Sequence, residues 1–269
     1  MNDQLQSQTI ADFGEQWTRY PDNDGFFGSV ELFNDIFHPL VADSDVKGCR
    51  VAEIGAGTGR FVRILVRAGA STVVAVEPSD AFMVLKANTG AERERIVYLQ
   101  ETGDRLPPSG DLDYVFSIGV MHHIPNPAPV AAAAFRALRP GGTFAIWLYG
   151  REGNTAYLLV AGSLWWLTRR LPHRGLDLFV KALYPAFWVY MQSCRLLPLP
   201  LASYMQRVML PLSPAKRRVV IYDQLNPAYA KYYTRAEAEG LMAGAGFVDI
   251  RLHHRHGYSW TVTGRRPLS

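Results

Sequence analysis

The stretch Val51-Ala-Glu-Ile-Gly-Ala-Gly-Thr-Gly-Arg60 constrains this chain more than any other. A β-branched apolar run ends at Ile54, glycines stand at 55, 57 and 59, and a helix-like run begins at Phe61. Glycine is needed where the backbone turns with positive φ or where a ligand approaches the main chain closely. Glycines placed between a strand and a helix therefore build a turn open to a ligand at the helix amino terminus. The spacing is E-x-G-x-G-x-G. A dinucleotide fingerprint, G-x-G-x-x-G, would need glycine where Arg60 stands, which disfavours a nicotinamide dehydrogenase. Some twenty residues on, Val76-Glu77-Pro78-Ser79 closes the next apolar run with a carboxylate, the place where nucleotide-binding α/β sites hold ribose hydroxyls. An ionised carboxylate suits that task because it accepts hydrogen bonds and donates none.

Around this loop, short β-branched runs alternate with helix-like stretches, the pattern of βαβ units on a parallel sheet. Strands are expected at 49–54, 72–77, 96–99, 114–118 and 143–148, with helices at 61–68, 80–88 and 129–138. After a break the pattern resumes: Thr234 and Glu237 form a capping-box signature, a helix should stop near Gly244–Gly246, and 247–252 with 258–263 should form an antiparallel pair. The fold class expected is α/β, a doubly wound, mostly parallel seven-stranded sheet with a helical insertion before the last two strands. Three units follow: an aromatic amino-terminal segment and helix (1–48), the α/β domain (49–150 and 219–269), and the insertion (151–218). The 48% of hydrophobic residues supply a core and exclude a disordered chain, while 28 Lys and Arg against 24 Asp and Glu leave a scattered +4 that gives little support to nucleic-acid binding. Two cysteines, Cys49 and Cys194, are too few for a disulfide framework, so a reducing cytoplasm is expected. No secretory leader is apparent. The apolar run 156–168 is too short to span a bilayer and meets Arg169 and Arg170 at once.

The chain resembles the class I S-adenosylmethionine-dependent methyltransferases of small-molecule type. Besides the glycine loop and Glu77, the resemblance rests on Asp113-Tyr-Val-Phe-Ser-Ile-Gly-Val-Met-His-His-Ile and on Leu138-Arg-Pro-Gly-Gly-Thr-Phe. It is specific over 49–150 and looser over 219–264. It implies S-adenosylmethionine as cofactor, with Glu53 at its ammonium end, Gly55, Ala56, Gly57 and Gly59 forming the loop, Glu77 and Pro78 at the ribose, and Gly119 beyond strand four. Related proteins often carry Gly-Asp-Ala before a Leu-Pro to meet the adenine. Aligned on Leu106-Pro107, that acid falls on Thr102, with Glu101 and Asp104 nearby, so the adenine contact stays open.

Methyl transfer to a hydroxyl or an acidic carbon needs a base, and histidine titrates in the right range. His122 and His123 follow strand four at the carboxyl edge where open α/β sheets bind ligands; by resemblance His123 is nearer the acceptor, while His122 serves equally as a packing residue. The polar, aromatic stretch 221–233 offers Tyr222, Asp223, Tyr232 and Tyr233 for binding an acceptor or positioning His123, or a turn satisfied by its own side chains. Trp17 and Tyr20 are candidate lid residues. His253, His254 and His256 invite a metal reading, but strand alternation separates 253 from 254 and no carboxylate joins them, so no metal is expected.

Segment 156–210 interleaves Tyr157, Trp165, Trp166, Trp188 and Tyr204 with Arg169, Arg170, Lys181, Arg195 and Arg207. It can pack on itself, cap an apolar acceptor, lie peripherally on a membrane or dimerise. The main expectation is a methyltransferase for a small, apolar, lipid-like or glycan-linked acceptor at oxygen or carbon, in the cytoplasm or peripheral to a membrane. The rivals are a nucleic-acid methyltransferase, against which Met-His-His-Ile-Pro replaces the expected Asn/Asp-Pro-Pro-aromatic stretch, and a non-catalytic module keeping the cofactor fold.

Overall fold

In the computed structural model, which describes residues 2–168, 171–225 and 229–268, the alternation becomes one seven-stranded sheet of order β3-β2-β1-β4-β5-β7-β6. The strands are β1 (Arg50–Ile54), β2 (Thr72–Val76), β3 (Ile96–Leu99), β4 (Leu112–Ile118), β5 (Leu138–Tyr149), β6 (Val248–Arg255) and β7 (Ser259–Arg265). Neighbours from β3 to β5 run parallel, and β7 lies antiparallel to both β5 and β6. The Leu138-Arg-Pro-Gly-Gly segment, ahead of the strand expected at 143–148, already pairs with β4 through Leu112 and Leu138 before a register shift brings Tyr114 opposite Thr143. Arg169, Arg170 and residues 226–228 lie outside the described residues, as does the Trp166 side chain.

Helices cover both faces. On one, α2 (Val30–Phe37), α3 (Arg60–Arg67) and α4 (Ala81–Asn88) bury Phe33, Phe37, Leu65 and Leu85 against β1, β2 and β4. On the other, α5 (Ala128–Ala137) and α10 (Arg235–Gly244) bury a run of alanines and Met242 against β4, β5 and β7. Thr234 caps α10 with Glu237 in the expected reciprocal box.

Of the amino-terminal aromatics, Phe13 and Trp17 belong to α1 (Asn2–Arg19), which lies across α4, while Tyr20, Phe26 and Phe27 follow it; a Cβ at Gly14 would stand 3.0 Å from the Ser79 side chain. After β5 the chain leaves the sheet at Gly150 and returns at Tyr233, which bridges to Gly150 in parallel and donates its N–H to the Tyr149 carbonyl (2.8 Å). Between these points lie α6 (Thr155–Thr168), α7 (His173–Ser193), the short α8 (Ala202–Tyr204) running into a π-helical turn (Met205–Met209), and α9 (Pro214–Leu225). Helix α9 runs straight through the boundary expected at 218/219. These helices share their own core, built on Leu176, Val180, Met191, Met209 and Ile221. No helix among the described residues is long and apolar enough to cross a membrane.

Candidate active site

The first strand pair fixes the site. Because β1 sits between β2 and β4, successive connections leave it in opposite directions, and a crevice opens at the carboxyl edge where they part. The cavity there takes in about 1000 Å³ including its mouth. Its floor is the glycine loop, its sides are the ends of β2, β3 and β4, and its roof is α1, which contributes Gln6, Thr9, Ile10, Phe13 and Trp17.

The loop glycines do different work. Gly57 has φ +53, lies beside the Trp17 ring, which a Cβ there would meet at 3.6 Å, and donates its N–H to Glu77 Oε2 (2.7 Å). A Cβ at Gly55 would come within 2.3 Å of Val120 just past β4, so that position is fixed by the packing of the two diverging strands. Gly59 caps α3 behind the loop and stays off the cavity wall, packing towards Leu85 and Thr89. Ala56, Pro78, Thr102 and Gly119 all line the cavity, whereas Glu101 and Asp104 do not. Glu77 is buried yet on the wall, its Oε1 accepting the N–H (3.0 Å) and hydroxyl of Ser79.

Glu53, at the penultimate position of β1, is the electrostatic oddity. Its carboxylate is buried on the wall, and Oε2 meets no hydrogen-bond partner among the described residues. Burial pushes its pKa well above the usual carboxylate range, against the pull of the Arg60 charge. Arg60 is held between the rings of Phe27 and Phe61, 3.9 and 4.2 Å from their centroids, and its guanidinium is lowered to about 10 by burial. A buried carboxylate oxygen with no donor is costly unless a cation meets it. The arrangement therefore fits a ligand carrying an ammonium at Glu53 and a diol at Glu77, separated by the glycine main chain that the Trp17 ring overlies.

His123 stands on the same wall. Its Nδ1 is 2.8 Å from the Tyr229 carbonyl, and a carbonyl can only accept, so Nδ1 carries the proton and Nε2 keeps its lone pair. Burial lowers the His123 pKa, although the Asp223 carboxylate opposes this. The Phe13 ring of α1 packs edge-on against the imidazole at 4.7 Å. Asp223 is itself raised by burial and accepts from Gln16 (3.4 Å) and from the Tyr149 hydroxyl (3.3 Å).

Other sequence candidates lie elsewhere. His122 is sealed from solvent and stacks on Tyr149 at 3.7 Å, behind the wall, because the turn after β4 sends successive side chains in different directions. Tyr222 points from α9 toward Glu15 and Arg19, in the insertion's core. Tyr233 is buried against the sheet by its bridge to Gly150, and its hydroxyl has no partner among the described residues. Tyr232 instead packs on Tyr149 at 5.2 Å and shares Gln224 Oε1 with Tyr157. Trp17 is on the roof, but Tyr20 turns to Asp177 of α7. The three carboxyl-terminal histidines separate: His254 stacks on Trp260 at 4.2 Å, and His256, past the end of β6, meets Asp35 at 2.7 Å. Among the described residues no three His, Cys, Asp or Glu side chains gather as metal ligands would.

Residues that sequence reasoning passed over include Gln6, Ile10 and Tyr149. The first two were legible in principle, since 6, 10, 13 and 17 recur at the i, i+4, i+7, i+11 spacing of one helix face.

Residues 52–146 match the family model described as a methyltransferase domain. A ubiquinone biosynthesis O-methyltransferase of Methylococcus capsulatus is 27% identical over 180 residues, 66% of this chain and 75% of that one. An uncharacterised methyltransferase of Mycobacteroides abscessus is 29% identical over 167 residues, covering 58% and 64%. Among solved structures, an S-adenosylmethionine-dependent methyltransferase from Mesorhizobium loti has the same fold, with a TM-score of 0.52 at 16% identity over 89% of this chain and 99% of that one.

Proposed function

Because the chain belongs to the class I S-adenosylmethionine-dependent methyltransferases, we propose that it methylates an oxygen or acidic carbon of a small apolar or amphiphilic acceptor, with His123 as the base. When bound, S-adenosylmethionine supplies an electrophilic methyl group on a sulfonium. The groups that would hold it are Glu53, whose Oε2 meets no donor among the described residues, for the ammonium, the main chain at Gly55–Gly57 for the body, and Glu77, whose oxygens already accept from Gly57 and Ser79 and keep lone pairs for further donors, for the ribose diol. Thr102 and the neighbouring Gly103 wall the far end of the cavity.

The observation that carries the base assignment is the Nδ1–H···O=C bond from His123 to Tyr229 (2.8 Å) on the cavity wall. It fixes the tautomer, leaves Nε2 free to take a proton, and lets burial keep the ring neutral at neutral pH. Once His123 is protonated, the Asp223 carboxylate lies within its field and favours the imidazolium. Oxygen is favoured as the acceptor atom because the Methylococcus relative is named an O-methyltransferase. Tyr157 and Trp165 of α6 in the insertion pack on Tyr232, which packs on Tyr149 beside the histidine, and this aromatic group suits an acceptor with a hydrocarbon portion, met in the cytoplasm or at a membrane face.

The test pairs calorimetry with turnover. S-adenosylhomocysteine is expected to bind and NAD not. With a radiolabelled methyl donor and a panel of catechols and prenylated phenols, His123→Asn is expected to keep cofactor affinity and lose turnover by about 100-fold or more. Full turnover in that variant would remove His123 from the chemistry. NAD binding without S-adenosylhomocysteine binding would overturn the reading entirely.

A further inference from the structure

Helix α7 has two apolar faces where a surface helix needs one. Its inner face buries Leu176, Val180 and Met191 in the insertion core. On the outer side Leu178, Ala182, Pro185 and Val189, at i, i+4, i+7 and i+11, are all exposed and line up along the axis. Leu178 is 69% and Val189 57% exposed, and Leu196 and Leu197 continue the patch just past the helix end at 87% and 54%. Along one edge of this stripe run Arg174, Lys181, Trp188 and Arg195, spaced seven residues apart and all exposed. Asp177 lies on the same edge, but it is engaged by Lys181 (2.7 Å) and by Arg19 of α1 (3.4 Å). Of the ten large apolar side chains exposed among the described residues, five fall within 178–197, so the patch is a local feature and not general surface composition.

We infer that the outer face of α7 is a docking surface for an anionic lipid membrane. A helix of 21 residues with Pro185 in its middle and charges along one edge lies on a bilayer and does not cross it. The apolar stripe enters the boundary between headgroups and chains, Trp188 sits at that boundary, and Arg174 and Arg195 reach anionic headgroups while their stems cover apolar surface, Lys181 being shared with Asp177. Charge complementarity selects the lipid over a second copy of the chain: a two-fold contact through this stripe would bring the basic edges of both copies alongside the same interface, with no matching acidic edge to receive them. The inference extends the reading of the insertion as the cap over an amphiphilic acceptor, because α7 also forms the core that carries α9 and Asp223. Docking would thus set the acceptor side of the site at the membrane face.

Flotation of the full chain with phosphatidylcholine vesicles containing about 30% phosphatidylglycerol tests this without any acceptor. The protein is expected to float with these vesicles, and to do so at least about tenfold less with pure phosphatidylcholine or in about 0.5 M salt. The double variant Leu178→Asp, Val189→Asp changes only exposed positions. It is expected to lose flotation by at least about tenfold while binding S-adenosylhomocysteine as the parent does, which separates loss of docking from loss of the cofactor site. Arg174→Gln with Arg195→Gln should weaken flotation to anionic vesicles alone. Absence of binding to the anionic vesicles, binding indifferent to the double variant, or a dimer by light scattering that the double variant dissociates would each overturn the inference.

Discussion

At the scale of single residues, the site turns on a carboxylate left incomplete. Glu53 is buried with one oxygen lacking a donor, and its pKa is raised chiefly by burial. A carboxyl whose folded pKa lies above its unfolded one stabilises the fold while protonated, and that contribution is lost as the pH rises through the folded value. The free protein thus gives up stability at neutral pH to hold an anion ready for a cation. Glu53→Gln is expected to weaken S-adenosylhomocysteine binding by about 2 kcal/mol, roughly thirtyfold, and to raise the melting temperature of the free protein at neutral pH. Calorimetry and thermal melts read the two effects, and a variant that loses both affinity and stability would show Glu53 to be structural. Parent affinity should also climb as the pH rises from the ordinary carboxylate range through the raised pKa, with proton release on binding. His123 obeys the opposite sign. Burial lowers its pKa and Asp223 opposes the fall, so Asp223→Asn should move the acid limb of kcat/KM to lower pH and reduce the plateau several-fold, with cofactor affinity kept.

At the scale of elements, α2 is tied to the β6–β7 hairpin by a buried ionic cluster. The Arg255 side chain, 2% exposed, donates to the Asp35 carboxylate and main chain and to the Tyr258 hydroxyl, and His256 meets the other carboxylate oxygen. Burial pushes Asp35 up, but the His256 hydrogen bond and the Arg255 charge outweigh it and the net pKa is lowered. Asp35→Ala strands a buried guanidinium, and urea unfolding at pH 7 should show a loss of about 3 kcal/mol or more. Since a lowered carboxyl stabilises above its unfolded pKa and that stability is lost as the pH falls through the folded value, the difference between variant and parent should shrink below about pH 4. The same cluster shows what sequence pattern cannot reach. The strands, α2 and the α10 cap were legible because each is specified by spacing within a dozen residues, through β-branched runs, apolar periodicity and capping chemistry. Asp35 and Arg255 meet across 220 positions, and Tyr149 meets Asp223 across 74, so nothing local marks either pair. Helix α1 is intermediate. Its cavity face recurs at helical spacing, but Gln6 stands among the apolar positions and blurs the stripe, so the aromatics of 1–28 stood out as composition and not as a helix.

At the scale of the molecule, the cavity's roof and the insertion share an anchor. Helix α1 is the roof, the insertion approaches His123 through Asp223 of α9 without lining the cavity, and the segment joining α1 to the rest is pinned to both. Asn23 exchanges hydrogen bonds with Thr58 of the glycine loop (2.6 and 2.9 Å), Asn88 holds the Pro21 carbonyl (2.8 Å), and Lys216 of α9 reaches the Asp22 carbonyl. Beyond that pin, Gln16 meets Asp223 of α9, while Arg19 and Tyr20 both meet Asp177 of α7 at 3.4 Å. A ligand that fills the cavity under Phe13 and Trp17 restrains α1, and through these contacts it restrains the insertion. S-adenosylhomocysteine should therefore slow amide exchange in α1 and also in α7 and α9, although neither α7 nor α9 lines the cavity. Asp177→Asn removes the ion pairs with Arg19 and Lys181 while leaving the cavity wall intact, so exchange in α1 should still slow on binding while the effect on α7 is largely lost. Protection confined to α1 in the parent protein would show that α1 and the insertion respond independently, and the acceptor side would then be organised by the acceptor alone.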